Sequence, residues 1–282
     1  MRHVREIGAA SRLSLSIGQR AVAALHQELV LYPKPGLVSL VDNGAHDDMD
    51  AVTFLRSLFA LRRYFQDIAD AGMGAAPFSE LQRLGIAAET RMLKATGGIN
   101  THRGAIFCIG LLAAAAGFRV ARGLSLVPDA LVGTVLDQWG DAIAAAAGAA
   151  PASHGRRMVA RFRARGAREE ALAGFPTLME VALPALKDTF ALLGCAERAR
   201  VQSLFAVMAR LDDTNLLHRG GADGLAFVRT HAVAFLEAGG VAAPDWRARA
   251  LVLHHACIAR HLSPGGSADI LAAAIFVQSL DP

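Results

Sequence analysis

Residues 106–118 read Ile-Phe-Cys-Ile-Gly-Leu-Leu-Ala-Ala-Ala-Ala-Gly-Phe. No charged residue interrupts the run. It falls well short of the roughly 20 apolar residues a membrane helix needs, and Gly110 and Gly117 lie inside it. It predicts a helix buried inside a helical protein. The pattern outside the run agrees, because helical periodicity recurs along almost the whole chain. Residues 16–31 place Ile17, Ala21, Ala24, Leu25 and Leu29 on one stripe, and residues 50–69 do the same with Val52, Leu55, Leu58, Phe59, Tyr64 and Phe65. Further helices are expected over 78–94, 101–117, 125–147, 153–165, 176–193, 196–210, 222–237, 244–262 and 267–280. Pro128 suits a helix start, and Pro184 should kink the 176–193 segment. Asp245 and Ser267 mark two further starts. No segment alternates convincingly as a strand with hairpin turn signals. The expected fold is therefore all-α, a single globular multi-helix bundle with functional inter-helix loops. Residues 1–15 are expected as a frayed N-terminus and 16–282 as one catalytic domain.

Composition narrows the function. The 282 residues are 53% hydrophobic, with a net charge of only +4, which excludes a disordered chain. Three scattered cysteines, Cys108, Cys195 and Cys257, build neither a disulfide framework nor a cysteine-rich zinc site. The pI of about 9.3 suits polyanionic small molecules, but no long basic run or aromatic interleaving points to nucleic acid. The arginines and serines of the first twenty residues resemble a transit peptide in composition. Glu6 and the lack of a compact apolar region weaken that case, and a cytoplasmic protein is expected. Residues 142–152 form an alanine-rich stretch, read as a helix end and linker and not as a domain boundary.

The loops carry five polar islands. The first is Pro33-Lys34-Pro35-Gly36-Leu37-Val38-Ser39 with Gly44-Ala45-His46-Asp47-Asp48-Met49-Asp50. Two prolines stiffen the turn around Lys34, and Gly36 permits close backbone approach, as in a phosphate-binding loop. The three aspartates cap a helix or, with phosphates and water, hold Mg²⁺. The second is Glu89, Met92 and Lys94, then Thr96-Gly97-Gly98-Ile99-Asn100-Thr101-His102-Arg103-Gly104. Its glycine turn opens a helix, whose N-terminus beside Lys94 and Arg103 suits an anion. The Walker spacing is missing. The third is Arg168-Glu169-Glu170 with Gly174-Phe175-Pro176, and the fourth is Asp212-Asp213-Thr214-Asn215 with Arg219. The fifth is Ser263-Pro264-Gly265-Gly266-Ser267-Ala268-Asp269, whose backbone N–H groups make a nest for an anion. His254, His255 and His261 share a helix without an acidic partner at zinc spacing, so a structural or surface role is expected. No Gly-x-Ser-x-Gly elbow occurs, and Cys108 lies in the apolar run, which argues against nucleophile chemistry at serine or cysteine.

Taken in order, the islands resemble the triphosphoribosyl-dephospho-CoA synthase family, which serves citrate lyase and malonate decarboxylase. The likeness runs from about Glu28 to Phe276. Arg103 stands where the family has lysine, and Glu169 where it has glycine, so Glu170 is matched to the family's acid. The resemblance implies an all-helical enzyme that moves the triphosphoribosyl group of ATP onto the 2′-hydroxyl of 3′-dephospho-CoA and releases adenine, with malonate decarboxylase the favoured downstream system. For that chemistry Glu89 and Glu170 are the catalytic candidates, since an oxocarbenium-like centre favours nearby carboxylates. Asp48 and Asp213 are the candidates for Mg²⁺. Lys34, Gly36, His46, Lys94, Gly97, Gly98, Asn100, His102, Arg103, Arg219, Gly265 and Gly266 are the candidates for nucleotide and phosphate. The expected partners are ATP and 3′-dephospho-CoA, with neither nucleic acid nor membrane. A Mg²⁺-dependent N-glycoside or ADP-ribosyl hydrolase is the alternative enzyme, and a CoA- or nucleotide-binding helical regulator the non-catalytic one.

Overall fold

The structure is a computed structural model, and it describes residues 2–146, 158, 161 and 165–281. The described residues contain eleven α-helices and no strand, as the periodicity predicts. In chain order they are α1 (Arg2–Leu29), α2 (Ala51–Met73), α3 (Phe78–Ala95), α4 (Arg103–Val120), α5 (Pro128–Ala145), α6 (Ala167–Leu172), α7 (Leu183–Leu193), α8 (Ala196–Arg210), α9 (Thr214–Glu237), α10 (Trp246–Ala259) and α11 (Gly265–Leu280). A π-helical turn, Thr177–Ala182, leads into α7, and a 3₁₀ turn, Gly240–Ala242, precedes α10. Most of the helix expected over 153–165, and the end of the alanine-rich stretch, lie outside the described residues. Helix α1 already runs from Arg2, earlier than the stripe at 16–31 requires.

Contacts group the chain into two compact units. Unit 1 comprises Met1–His26, Thr53–Ala149 and Ile275–Pro282; unit 2 comprises Gln27–Val52 and Ala150–Ala274. In unit 1 the apolar run forms α4, buried at every position from Ala105 to Gly117 except Phe107. By length and composition alone α4 would pass for a membrane span, but most of it is covered by protein. Its small residues have a geometric cause. A Cβ on Gly72 of α2 would lie 1.9 Å from the Ala114 carbonyl oxygen, and one on Gly117 would lie 2.1 Å from that of Ala69. The two backbones meet where only glycine fits. Tyr64 fills the space over Gly110 and donates to the Ile106 carbonyl at 2.8 Å. The α1 stripe is buried throughout, whereas Val52 and Phe59, expected in the α2 stripe, are exposed.

In unit 2, α8 packs against α7, α9 and the π-turn, and α9 packs against α10. Residues 176–193 run as one helical stretch, as expected, and the π-turn just ahead of Pro184 widens it so that the Leu183 N–H reaches the Leu178 carbonyl. Helix α9 starts at Thr214, eight residues before the expected 222, because Asp213 caps a first segment that breaks at Gly221 (φ 62°, ψ −157°).

Candidate functional site

The candidate residues fall in two groups, one in each unit. In unit 1, Glu89 and Lys94 lie on α3, Gly97, Gly98, Asn100 and His102 in the α3–α4 turn, and Arg103 at the start of α4. Thr96 closes α3 by donating its hydroxyl to the Met92 carbonyl at 2.9 Å, and Gly97 and Gly98 then take φ of 67° and 94°. No atom would crowd a Cβ at either glycine, so the left-handed backbone alone requires them. Asn100 Oδ1 accepts the Arg103 N–H at 3.1 Å and so caps α4. Arg103 Nε donates to Glu89 Oε2 at 3.0 Å, and each side chain is about one-third exposed. The structure thus joins a catalytic candidate to a phosphate-binding candidate as an ion pair that solvent can reach. Lys94 is exposed. His102 is buried at 3% exposure: its Nδ1 lies 2.7 Å from Ser57 Oγ, its N–H reaches Met92 Sδ, and Phe54 meets its ring edge-on. Thr101 donates to the same Ser57 hydroxyl at 2.8 Å. Ser57 carries no motif signal and was not singled out by sequence.

In unit 2, Lys34 turns inward. Its Nζ donates to Glu28 Oε1 at 2.6 Å, and the two side chains are 1% and 6% exposed. Burial lowers the Lys34 pKa, and the Glu28 carboxylate opposes that shift. The expected phosphate ligand is therefore an internal partner of Glu28 in this structure. Gly36 (φ 66°) brings the loop onto the end of α10, where a Cβ would meet the Leu262 carbonyl oxygen at 2.0 Å. His254, expected to be structural, is fully buried and sets Nδ1 2.7 Å from the Lys34 carbonyl and Nε2 3.0 Å from Asp42 Oδ2. Asp42 in turn accepts the Gly44 N–H at 2.9 Å.

His46, Arg219 and Ser263 are brought together. Arg219 donates to His46 Nδ1 at 2.9 Å and to the Ala45 and His261 carbonyls. A guanidinium only donates, so Nδ1 accepts and the His46 proton sits on Nε2, directed at Ser263 Oγ 2.8 Å away. Burial, then the Arg219 charge, lower the His46 pKa to about 4. The ring is neutral at pH 7 and carries no charge toward phosphate. Asp48 Oδ1 lies 3.6 Å from His46 Nδ1, and its side chain is 62% exposed.

Asp213, a metal candidate by sequence, is held as a cap. Its Oδ1 accepts the Asn215 and Leu216 N–H groups at 2.9 and 3.4 Å. Its Oδ2 accepts the Ser267 N–H and hydroxyl at 2.8 and 2.9 Å. Four donors saturate the carboxylate, which is 1% exposed, so it has no lone pair directed at a cation. Among the described residues no group of three or more His, Cys, Asp and Glu is arranged to hold a metal. The same bonds revise the fifth island. At the N-terminus of α11 the Ser267 N–H and hydroxyl are taken by Asp213. Gly265 and Gly266 leave room for Asn215 and for the Asp213 carboxylate, whose atoms a Cβ would meet at 2.8 and 3.2 Å. Glu170 is also occupied: at 3% exposure it accepts the Thr177 N–H and hydroxyl at 3.1 and 2.9 Å and caps the π-turn.

The scaffold is all-helical and carries these charged groups on and beside its inter-helix turns, with Asp213 and Glu170 used as caps and Glu89 paired with Arg103 at partial exposure. The profile of the ATP:dephospho-CoA triphosphoribosyl transferase family matches residues 14–282, and the chain belongs to that family. It is 42% identical over 268 residues to the 2-(5''-triphosphoribosyl)-3'-dephosphocoenzyme-A synthase of Pectobacterium atrosepticum, covering 92% of this chain and 87% of the relative. It is 37% identical over 276 residues to a protein of Acinetobacter calcoaceticus named "Probable 2-(5''-triphosphoribosyl)-3'-dephosphocoenzyme-A synthase", covering 95% and 94%. No solved structure matches.

Proposed function

We propose that this chain transfers the 5-triphosphoribosyl group of ATP to the 2′-hydroxyl of 3′-dephospho-CoA, in the cytoplasm, with release of adenine. The observation that carries this reading is the family match along residues 14–282. The bond from ribose C1′ to adenine N9 breaks, and a bond from C1′ to the 2′-oxygen forms. The hydroxyl gives up one proton and adenine takes one up. Positive charge develops on the ribose, and a carboxylate near it lowers the barrier.

Glu89 is the carboxylate we favour for that role, because it is accessible and Arg103 holds it in place. Arg103 and the exposed Lys94 would then face phosphate. Glu170, with both oxygens on Thr177, serves as a positioning residue for the turn that follows it. His46 acts as a neutral Nε2–H donor that orients Ser263. Mg²⁺, when bound, would neutralise triphosphate charge, with Asp48 and the neighbouring Asp47 as its protein oxygen donors. Perturbation of the Asp47 and Asp48 resonances on adding Mg²⁺ with ATP, and not with ATP alone, would support that placement. We favour malonate decarboxylase as the downstream system from the overall resemblance; loss of growth on malonate, and not on citrate, in a strain lacking the chain is the expected result.

The activity test is direct. Protein, ATP, dephospho-CoA and Mg²⁺ are incubated, and adenine is followed by chromatography. Adenine should appear in step with a triphosphoribosylated product. ADP or AMP without adenine would refute the reading, and adenine released without dephospho-CoA would favour a hydrolase.

A further inference from the structure

Unit 2 contains a cavity of about 320 Å³ that the candidate residues do not line. It is lined by the polar side chains of Gln27, Tyr32, Glu197, Arg200 and Arg247 and by the aliphatic ones of Val30, Leu31 and Val41. Arg247 is paired with Glu197, so those two charges cancel. Arg200 differs. It is half-buried, and the group it bonds among the described residues is the neutral amide oxygen of Gln27. The cavity therefore carries one uncompensated guanidinium next to an aliphatic surface. Desolvation weakens the Arg200 hold on its proton, with no carboxylate acting against that shift. A cation in this setting is stabilised by an incoming anion. The cavity is also tied to the first polar island: the Tyr32 ring meets His254 edge-on at 5.5 Å, and the Asp42 carboxylate acts on the Tyr32 hydroxyl.

We propose that this cavity binds the phosphopantetheine arm of dephospho-CoA, with Arg200 on the phosphate nearest the pantetheine and the Leu31 and Val41 wall against its branched aliphatic part. The proposal rests on the transferase reading and assigns one substrate to a place in the fold. The match is chemical. Phosphopantetheine presents an anion directly beside a branched alkyl group, which suits a guanidinium set among aliphatic side chains. The triphosphate of ATP packs several charges together and has no alkyl branch, so one free guanidinium and an apolar wall suit it poorly. Docking there would place the ligand against Tyr32 and so against the Lys34–Gly36 loop.

The test uses the full chain and calorimetry with three probes: 4′-phosphopantetheine, dephospho-CoA and ATP. Arg200→Gln should weaken the first two by about tenfold or more and leave ATP within about twofold. In turnover the same variant should raise KM for dephospho-CoA with kcat retained. Pantetheine lacking the phosphate should bind wild type and Arg200→Gln alike. Val41→Asp provides a second variant: Val41 is 64% exposed, so the change is compatible with folding, and its carboxylate at the mouth should produce the same selective loss. Unchanged affinity for phosphopantetheine in both variants, or an equal loss for ATP, overturns the proposal. The two readings fail separately. Adenine release with an unaltered Arg200→Gln enzyme removes the cavity assignment and keeps the reaction, whereas phosphopantetheine binding without adenine release removes the reaction and keeps the cavity.

Discussion

Replacing Lys34 by methionine separates two meanings of the same residue. A phosphate-binding lysine should be lost with little effect on folding and a large effect on KM for ATP. The structure implies the reverse. Lys34 Nζ sits 2.6 Å from Glu28 Oε1 with both side chains nearly excluded from water. Removing the ammonium leaves a carboxylate buried and unpaired, which costs about 3–5 kcal/mol. Glu28→Leu alone should cost a similar amount, because it strands the ammonium. The double variant Lys34→Met with Glu28→Leu replaces both charges by apolar groups of comparable size. It should return to within about 1–2 kcal/mol of wild type, since the desolvation penalty disappears together with the attraction. The coupling read from this cycle is then at least about 4 kcal/mol, beyond the scatter expected of independent sites. Urea unfolding followed by circular dichroism and tryptophan fluorescence supplies the four values, and coincidence of the two probes licenses two-state treatment. Steady-state kinetics on the folded double variant completes the test, with KM for ATP expected within about threefold of wild type, well under 1 kcal/mol. Additive losses in the cycle would refute the buried-pair argument, and a KM rise of tenfold or more in the double variant would return Lys34 to the phosphate.

Asp213→Asn should lose about 2–4 kcal/mol of stability by urea titration, because the new amide nitrogen faces the Ser267 donors, while Ser267→Ala loses only about 1–2 kcal/mol. His46 has a folded pKa of about 4 against about 6.5 unfolded, so the unfolded chain takes up the proton first. Its contribution is therefore complete above about pH 6.5 and falls away between pH 6.5 and 4; the stability gap between wild type and His46→Asn should shrink by about 2–3 kcal/mol across that window, and a constant gap would contradict the burial argument. Gly72→Ala should cost about 3 kcal/mol, because its Cβ would strike the Ala114 backbone, whereas Gly97→Ala, with open space and only an unfavourable φ, should cost about 1 kcal/mol in the same denaturation series. Glu89→Gln should lower kcat about a hundredfold with an unchanged unfolding midpoint; full activity would take Glu89 out of the chemistry.

The helical class was legible because it depends on local repetition. The run from Ile106 to Phe118 and the stripe through Ile17, Ala21 and Leu25 each announce a buried helix within a few turns. The α3–α4 turn was legible for the same reason, since Gly97, Gly98 and Asn100 act on their own backbone. What sequence could not expose were partners set by tertiary contact. Asp213 reads as a plausible ligand until Ser267, 54 residues away, is found on its second oxygen. Lys34 reads as a phosphate lysine until Glu28 is found beneath it. Ser57, the neighbour of His102, lies 45 residues earlier in an ordinary amphipathic stretch. Val52 and Phe59 failed for the converse reason: periodicity identifies an apolar face, but only packing decides whether another element covers it.

The Asp213 carboxylate links the first turn of α9 to the first turn of α11 across a sequence separation of 54. Entropically it behaves as a non-covalent loop closure, and it can open without breaking any chain bond. Its release would still leave α9 packed on α8 and α10 held through His254 to Asp42 and the Lys34 carbonyl. Burial raises the pKa of Asp213, against the pull of its four donors. A clasp of this kind ties the exchange protection of the first turns of α9 and α11 to one shared group.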